Sequence, residues 1–432
     1  MIEIFDIIIL FFIFSLFLLS PLNFTKKKVF GLECNKNLLI TFNLILNLNI
    51  LLIFSIIPLE ISKYYLYIIS FLILFLLKNF SDTFETFKIR DNILSTILFF
   101  TLFFILSLDI ANDLNLGWDA KWFYLIESLY YSQGNTFREL SDQMFKDFHP
   151  HPHLGSYLWA FFSNLSINNH EYYGRLFYLF VYIFSLVLIT NKLFNNQNFR
   201  LIILTILTII TYRYKYFSGL QEILIFSNLV FISVILYEYI SNRKITDLFL
   251  ITLCLNLILW IKAEGIVYFF LIIFCVNLIK KFNYIHRIRF NLICLLILLT
   301  KIYIYHLFEI KPNNQPYSTD FIEKFNFEIL FHQIYNIFIY FIYNSINNII
   351  YIVTLLIFIF EFKKIFKDEY YKSILTFFVL NICFIFSAYI IRDQEVIYSL
   401  KTTIDRVIFA SSGFCLFFIL LYIKKIYSSY NK

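Results

Sequence analysis

Asp119 stands in the run Trp118-Asp119-Ala120-Lys121-Trp122, at the head of a helical-looking stretch that ends near Gly134. Asp119, Trp122, Ile126 and Tyr130 have the spacing of one helix face. A carboxylate packed beside indole rings is partly desolvated, which suits it to take a proton from a hydroxyl. The alternative is a helix cap, because Asp satisfies free amides at a helix start. Asp113, six residues earlier, is either a second acid or a solvated loop residue.

His149, His151 and His153 alternate with Pro150 and Pro152. The prolines hold the segment extended, so the alternate imidazoles tend to point one way. Neutral imidazoles suit zinc or a similar divalent metal, and imidazolium suits phosphate. The plainer alternative is an interfacial loop rich in polar rings. No fixed ligand spacing is matched, so the sequence names no certain cofactor beyond that divalent-metal option.

Glu222 opens a later apolar run and follows Arg213 and Lys215. An acid and two bases at one helix mouth can hold a phosphate or a metal-bound phosphate, although snorkelling is the common use of such cations. Lys262-Ala263-Glu264-Gly265 lies between two apolar runs with almost no connecting loop. Charges there are costly unless they pair with each other or meet a ligand. Arg392, Asp393 and Glu395 begin the last polar interval, and Asp405-Arg406 closes it. The Arg406 guanidinium can grip a phosphate through two nitrogens, as lysine cannot, or can simply mark a membrane edge.

The elements that must position these groups are membrane helices. The 432 residues are 60% hydrophobic and 15% charged, with mean hydropathy +0.74. A soluble domain cannot bury that much apolar surface. Lipid leaves open backbone groups unsatisfied, so the expected fold is all-α, a polytopic bundle. Apolar runs lie near 4–22, 38–58, 64–78, 93–110, 172–190, 199–213, 222–240, 246–261, 265–280, 290–307, 334–360, 372–391 and 405–423, about thirteen spans. The first run lacks a basic leader and a cleavage site, and Thr25-Lys26-Lys27-Lys28 follows it, so it reads as a retained helix with its N-terminus outside. With that orientation, the inside loops hold nearly twice the Lys and Arg of the outside segments, in the sense of the positive-inside rule. Most acids, and every His except His286, then lie outside.

Three regions follow: 1–110, N-terminal membrane helices; 111–171, a long outer loop carrying short interfacial helices; and 172–432, a C-terminal helical bundle. Residues 154–167 are apolar but short, and they read as a helix lying on the outer interface. Of the six Cys, Cys34 lies in a basic loop and the others in apolar runs, with no Cys-x-x-Cys; neither a disulfide framework nor a thiolate metal site is expected. The net charge of +7 is spread over short loops and gives no nucleic-acid signal. Chain ends without a retention signal point to a bacterial inner membrane.

In this order the residues resemble the polytopic GT-C glycosyltransferases, the class that includes protein mannosyltransferases and the aminoarabinose transferase of lipid A. The series starts with Trp118, Asp119, Ala120 and Trp122 on a long outer loop. His-Pro-His then leads into Leu154–Phe162, and Glu171 and Arg175 open the next span. Glu222 follows Gly219, and then come Lys262, Glu264 and Gly265, and finally Thr403, Asp405 and Arg406. The resemblance covers about 115 to 410. Two departures stand out. Three spans precede the long loop in addition to the usual one, and the first-loop acid is not an Asp-Glu pair.

The resemblance implies a GT-C-like transferase that uses a polyprenyl-phosphate sugar as donor, a lipid, glycan or protein as acceptor, and a site on the non-cytoplasmic face. It implies Asp119 as catalytic base, and Lys262 and Arg406 as donor-phosphate ligands. It leaves Glu222, Glu264, His149, His151 and His153 as acceptor or metal candidates. A polymerase or ligase of lipid-linked glycans would favour paired Arg-rich outer loops. A transporter or flippase of lipid-linked sugars would favour mid-membrane charges and broken helices. A purely structural membrane protein would need no outer cluster.

Overall fold

The computed structural model describes residues 4–21, 28–29, 32–33, 38–57, 59–78, 89–140, 152–168, 170–280, 283–310, 327–391 and 396–430. The described chain is helical apart from a hairpin of two two-residue strands, Lys28–Val29 and Leu32–Glu33. The helices are α1 (Ile4–Leu19), α2 (Leu39–Ile56), α3 (Ile61–Lys78), α4 (Ile89–Asn112), α5 (Leu125–Ser132), α6 (Phe137–Leu140), α7 (Leu154–Ser163), α8 (Glu171–Leu193) and α9 (Gln197–Thr211). They continue with α10 (Glu222–Asn242), α11 (Ile245–Ile261), α12 (Gly265–Asn277), α13 (Tyr284–Leu307), α14 (Phe327–Asn347), α15 (Ile349–Phe360), α16 (Phe362–Ile365), α17 (Glu369–Ile390) and α18 (Val396–Tyr430).

Each of the thirteen apolar runs carries a helix. Fewer are long and apolar enough to cross a membrane: eight among the described residues, or up to nine if the bent pair α14 and α15 is one span. The other four, α1, α9, α11 and α12, are apolar but only 10–17 residues long. One run differs in shape. The stretch expected as a single helix over 334–360 turns by 99° between α14 and α15. Asn348 makes the corner, its side-chain oxygen accepting from Ile350 N and Tyr351 N at the new helix start.

Burial separates an inner from an outer set. The apolar windows of α8 and α10 are each 89% buried, whereas that of α13 is 11% buried. Helices that are apolar all round belong inside or in lipid. Leu292, Leu295, Leu296, Leu299 and Ile302 leave a continuous apolar face open on α13. Such a face needs a lipid environment. This is the build of a multi-pass membrane protein.

α10 and α18 pack most extensively. The Phe226 and Phe409 rings stack with centroids 4.8 Å apart. One turn further along α18, Gly413 lies so close that a methyl there would sit 2.3 Å from Phe226 O. Only glycine permits that approach. The close packing sets the height of Arg406 on α18 against Glu222, the first residue of α10.

The expected interfacial helix over 154–167 exists as α7, but all ten of its residues are buried. It packs against α8, α5 and α11 and does not lie on the protein surface. Its rings, including Trp159 and Phe162, fill the inner bundle rather than a lipid boundary. An apolar run of this length carries no mark in its sequence that separates the two placements.

Candidate active site

Four separate chain segments meet at one end of the bundle. Glu222 begins α10. After α10 the left-handed turn at Arg243 sends the chain back along α11, and Lys262 follows directly after its last residue. Glu264 precedes α12 in a turn closed by the bond from Gly265 N to Lys262 O, 3.0 Å. A methyl on Gly265 would sit 2.0 Å from Ile258 O, so glycine lets α11 and α12 meet with almost no loop. Arg406 comes from α18.

Asp119 is the fourth segment. Gly117 N donates to Ser218 O at 2.9 Å, which ties the polar loop to the stretch before α10. Lys121 N then donates to Gly117 O at 2.9 Å and starts a helical turn. Asp119 is helical in backbone and makes no side-chain cap bond, so it does not serve as a helix cap.

The side chains form one charged network. Arg406 Nη1 lies 2.5 Å from Asp119 Oδ2, and Arg406 Nε lies 3.5 Å from Glu222 Oε1. Lys262 Nζ lies 2.7 Å from Glu222 Oε1 and 3.4 Å from Glu264 Oε1. Glu222 and Lys262 are buried, while Asp119 and Glu264 keep side-chain exposures of 24% and 31%. The network therefore has a closed floor and an open rim. It holds three carboxylates and two cations. Burial alone would lower the Lys262 ammonium, but Glu222 and Glu264 outweigh it and hold Lys262 well above the ordinary lysine value.

Of the residues expected on one side, Asp119, Glu222, Lys262, Glu264 and Arg406 are linked pair by pair into this network, and the described member of the His run, His153, is not among them. The structure differs on the surroundings of Asp119. Residues Ala120–Tyr124 form a π-helical turn, which rotates the following residues away from the α-helical spacing. Trp118 and Trp122 are 66% and 51% exposed, so the indoles do not shelter the carboxylate. Arg406 does that instead. Ala120 and Tyr124 face inward. Burial holds the Tyr124 phenol well above its ordinary value; Lys262 opposes this, while Glu222, Asp119 and Glu264 add to it. Tyr124 was missed because nothing in the sequence signals a π turn. Glu127 was also missed: it is buried, and its carboxylate accepts from Ser156 Oγ at 2.7 Å. An acid inside the apolar stretch Leu125–Tyr131 was its available signal.

The His run divides. His149 and His151 lie outside the described residues, as do Arg392, Asp393 and Glu395. His153 is fully buried and stands apart from the network. Its Nε2 shares a hydrogen bond with Ser55 Oγ at 2.7 Å, and its ring stacks on Phe137 with centroids 3.9 Å apart. Burial first, and Lys301 nearby, lower the His153 imidazole to about 3. It is thus a neutral core ring and not a cation for phosphate. Among the described residues, no group of three or more His, Cys, Asp or Glu could hold a metal ion.

Other charged residues that the sequence singled out also have partners among the described residues. Glu171 and Arg175 bond at 2.8 Å. Lys215 pairs with Asp405, and Thr403 Oγ1 meets Tyr389 Oη at 2.6 Å. Asp113 Oδ1 accepts from Asn115 N at 3.0 Å and belongs to the loop. Comparison of the chain with protein-family models, curated proteins and solved structures finds no match.

Proposed function

We propose that the chain is a GT-C-like membrane glycosyltransferase, moving a sugar from a polyprenyl-phosphate donor to a lipid, glycan or protein acceptor on the non-cytoplasmic face of a bacterial inner membrane. One observation carries the reading: Asp119, on the long polar loop, meets Arg406, Glu222, Lys262 and Glu264 at an open rim. Proton transfer and neutralisation of a leaving phosphate need an acid and cations together in such a place.

In the proposed reaction an acceptor hydroxyl attacks the anomeric carbon. The bond from that carbon to the phosphate oxygen breaks, and its electron pair leaves with polyprenyl phosphate. The hydroxyl proton passes to Asp119. Arg406 holds one oxygen of Asp119, Oδ2, and leaves the other directed by the same bond. Lys262 and Arg406 lie beside the reacting groups and favour the charge that develops on the phosphate. Glu222, bound to both cations, fixes their positions. The test is transfer of label from polyprenyl-phosphate sugars by the wild-type protein and by Asp119→Asn.

A second reading, a transporter or flippase of lipid-linked sugars, is favoured by the 99° break between α14 and α15. Broken helices build many transporter sites. Labelled lipid crossing the bilayer without transfer would select it.

A further inference from the structure

The two cations assigned to donor phosphate are already held by carboxylates. Glu222 bonds Lys262 and contacts Arg406, and Asp119 bonds Arg406. With three acids against two bases, this network repels an additional anion at rest. A phosphate needs a first seat elsewhere.

A cavity of about 280 Å³ lies beside the network, between α9, the broken pair α14 and α15, and α18. Arg213, Lys215, Asp405, Asn344, Asn347 and Asn348 supply its polar wall. Lys215 is paired with Asp405. The Arg213 side chain has no hydrogen-bond or ion-pair partner among the described residues, so within that set the wall carries one guanidinium whose donors are uncommitted. The amides at the start of α15 are already satisfied by Asn348, which leaves Arg213 as the anion's partner. The cavity shares a wall with the network, because Asp405 precedes Arg406 and Phe409 packs on both Tyr216 and Phe226.

Tyr343 and Ile349, which line the cavity, are 65% and 48% exposed, and Ile209 and Ile346, on the flanking helices α9 and α14, are 72% and 61% exposed. A polar cavity with a guanidinium unpaired among the described residues, flanked by exposed apolar side chains, fits a ligand with a phosphate head and a hydrocarbon chain.

We infer that this cavity is the docking site for a lipid-linked phosphate, with Arg213 as its anion ligand and Lys215 and the three asparagines around it. The role as donor seat rests on the proposed transferase; the binding itself does not. Docked there, the donor's phosphate lies in a cavity walled by Asp405, the residue before Arg406, and Arg406 receives its charge only as the sugar leaves. The phosphate head is common to polyprenyl phosphates and to phosphatidic acid, so both are to be measured.

The experiment uses the full-length protein in phosphatidylcholine nanodiscs with a benzophenone-tagged polyprenyl phosphate. Crosslinking should map to α9, α14 or α15. Arg213→Gln should weaken binding about tenfold or more, the scale of losing a charged hydrogen bond, and Arg213→Lys should restore part of it. Inorganic phosphate at the same concentration should not compete. Unchanged binding in Arg213→Gln, or equal competition by inorganic phosphate, would overturn the site. Equal competition by phosphatidic acid would keep the lipid-phosphate site and overturn its assignment to the donor. Sugar transfer by the wild type with an unchanged donor KM in Arg213→Gln would sink this inference alone. Arg213-dependent binding with no transfer from any donor would sink the transferase alone.

Discussion

Arg406 on α18 and Asp119 on the polar loop are bonded at 2.5 Å, although 287 positions separate them in the chain. The same guanidinium reaches Glu222 at 3.5 Å. A planar fork can span two acids in this way; an ammonium cannot. Arg406→Lys should therefore keep the fold but lower transfer, by about tenfold or more, with Asp119 left less constrained. Normal transfer with correct folding on size-exclusion chromatography would show that the bridge has no part in activity.

The Lys262–Glu222 pair is buried at the floor of the network. Removing one partner leaves an uncompensated charge. Lys262→Met should destabilise the protein by about 3 kcal/mol, the low end for such pairs because Arg406 still contacts Glu222. Lys262→Met with Glu222→Gln should recover much of that loss. A double-mutant cycle on thermal unfolding in detergent measures it. Equal losses in the single and double variants would contradict a direct pairing.

His153 gives a pH prediction. Its folded value, about 3, lies below the ordinary 6.5. A depressed value means that the stability it contributes is present above pH 6.5. As pH falls from 6.5 towards 3, the unfolded state takes up a proton that the folded state refuses, and that stability is lost. The slope is about 1.4 kcal/mol per pH unit over that window. The groups facing His153 are Ser55, Phe137, Tyr131, Trp260 and Lys301. His153→Gln should flatten the stability curve between pH 6.5 and 3. An unchanged acid limb would assign the acid sensitivity to other groups.

Gly265→Ala tests the tight turn between α11 and α12. Its methyl would meet Ile258 O at 2.0 Å, closer than any relaxed packing allows. The variant should lower the melting temperature and weaken transfer together, because Lys262 and Glu264 sit on the same turn. A melting temperature equal to that of the wild type would show that the turn relaxes freely.

Much of this arrangement was legible from hydropathy and charge. Each apolar run carries a helix, because lipid and burial both demand internally satisfied backbone. Placement beside helix mouths led to the expectation that Asp119, Glu222, Lys262, Glu264 and Arg406 share one side with the His run; the ion-pair network that joins the five depends on packing and was not legible. What was not legible depended on local backbone geometry or on packing. The π turn after Asp119 turned Trp122 outward and Tyr124 inward. The bend at Asn348 left no mark in hydropathy. His153, read as part of a polar run, went into a ring cluster with Phe137 and Trp260, a choice made by tertiary contacts. Arg213 and Lys215 are visible as a basic pair, but which of them is unpaired among the described residues depends on where Asp405 lands.

The central claim is that Asp119 accepts the acceptor's proton during sugar transfer. It is tested most directly by purified protein in liposomes given a panel of radiolabelled polyprenyl-phosphate sugars and a membrane extract as acceptor source. The wild type should transfer from at least one donor, and correctly folded Asp119→Asn should fall by about 10²–10⁴-fold. Full transfer by Asp119→Asn, or labelled lipid crossing the bilayer with no transfer by the wild type, would contradict it.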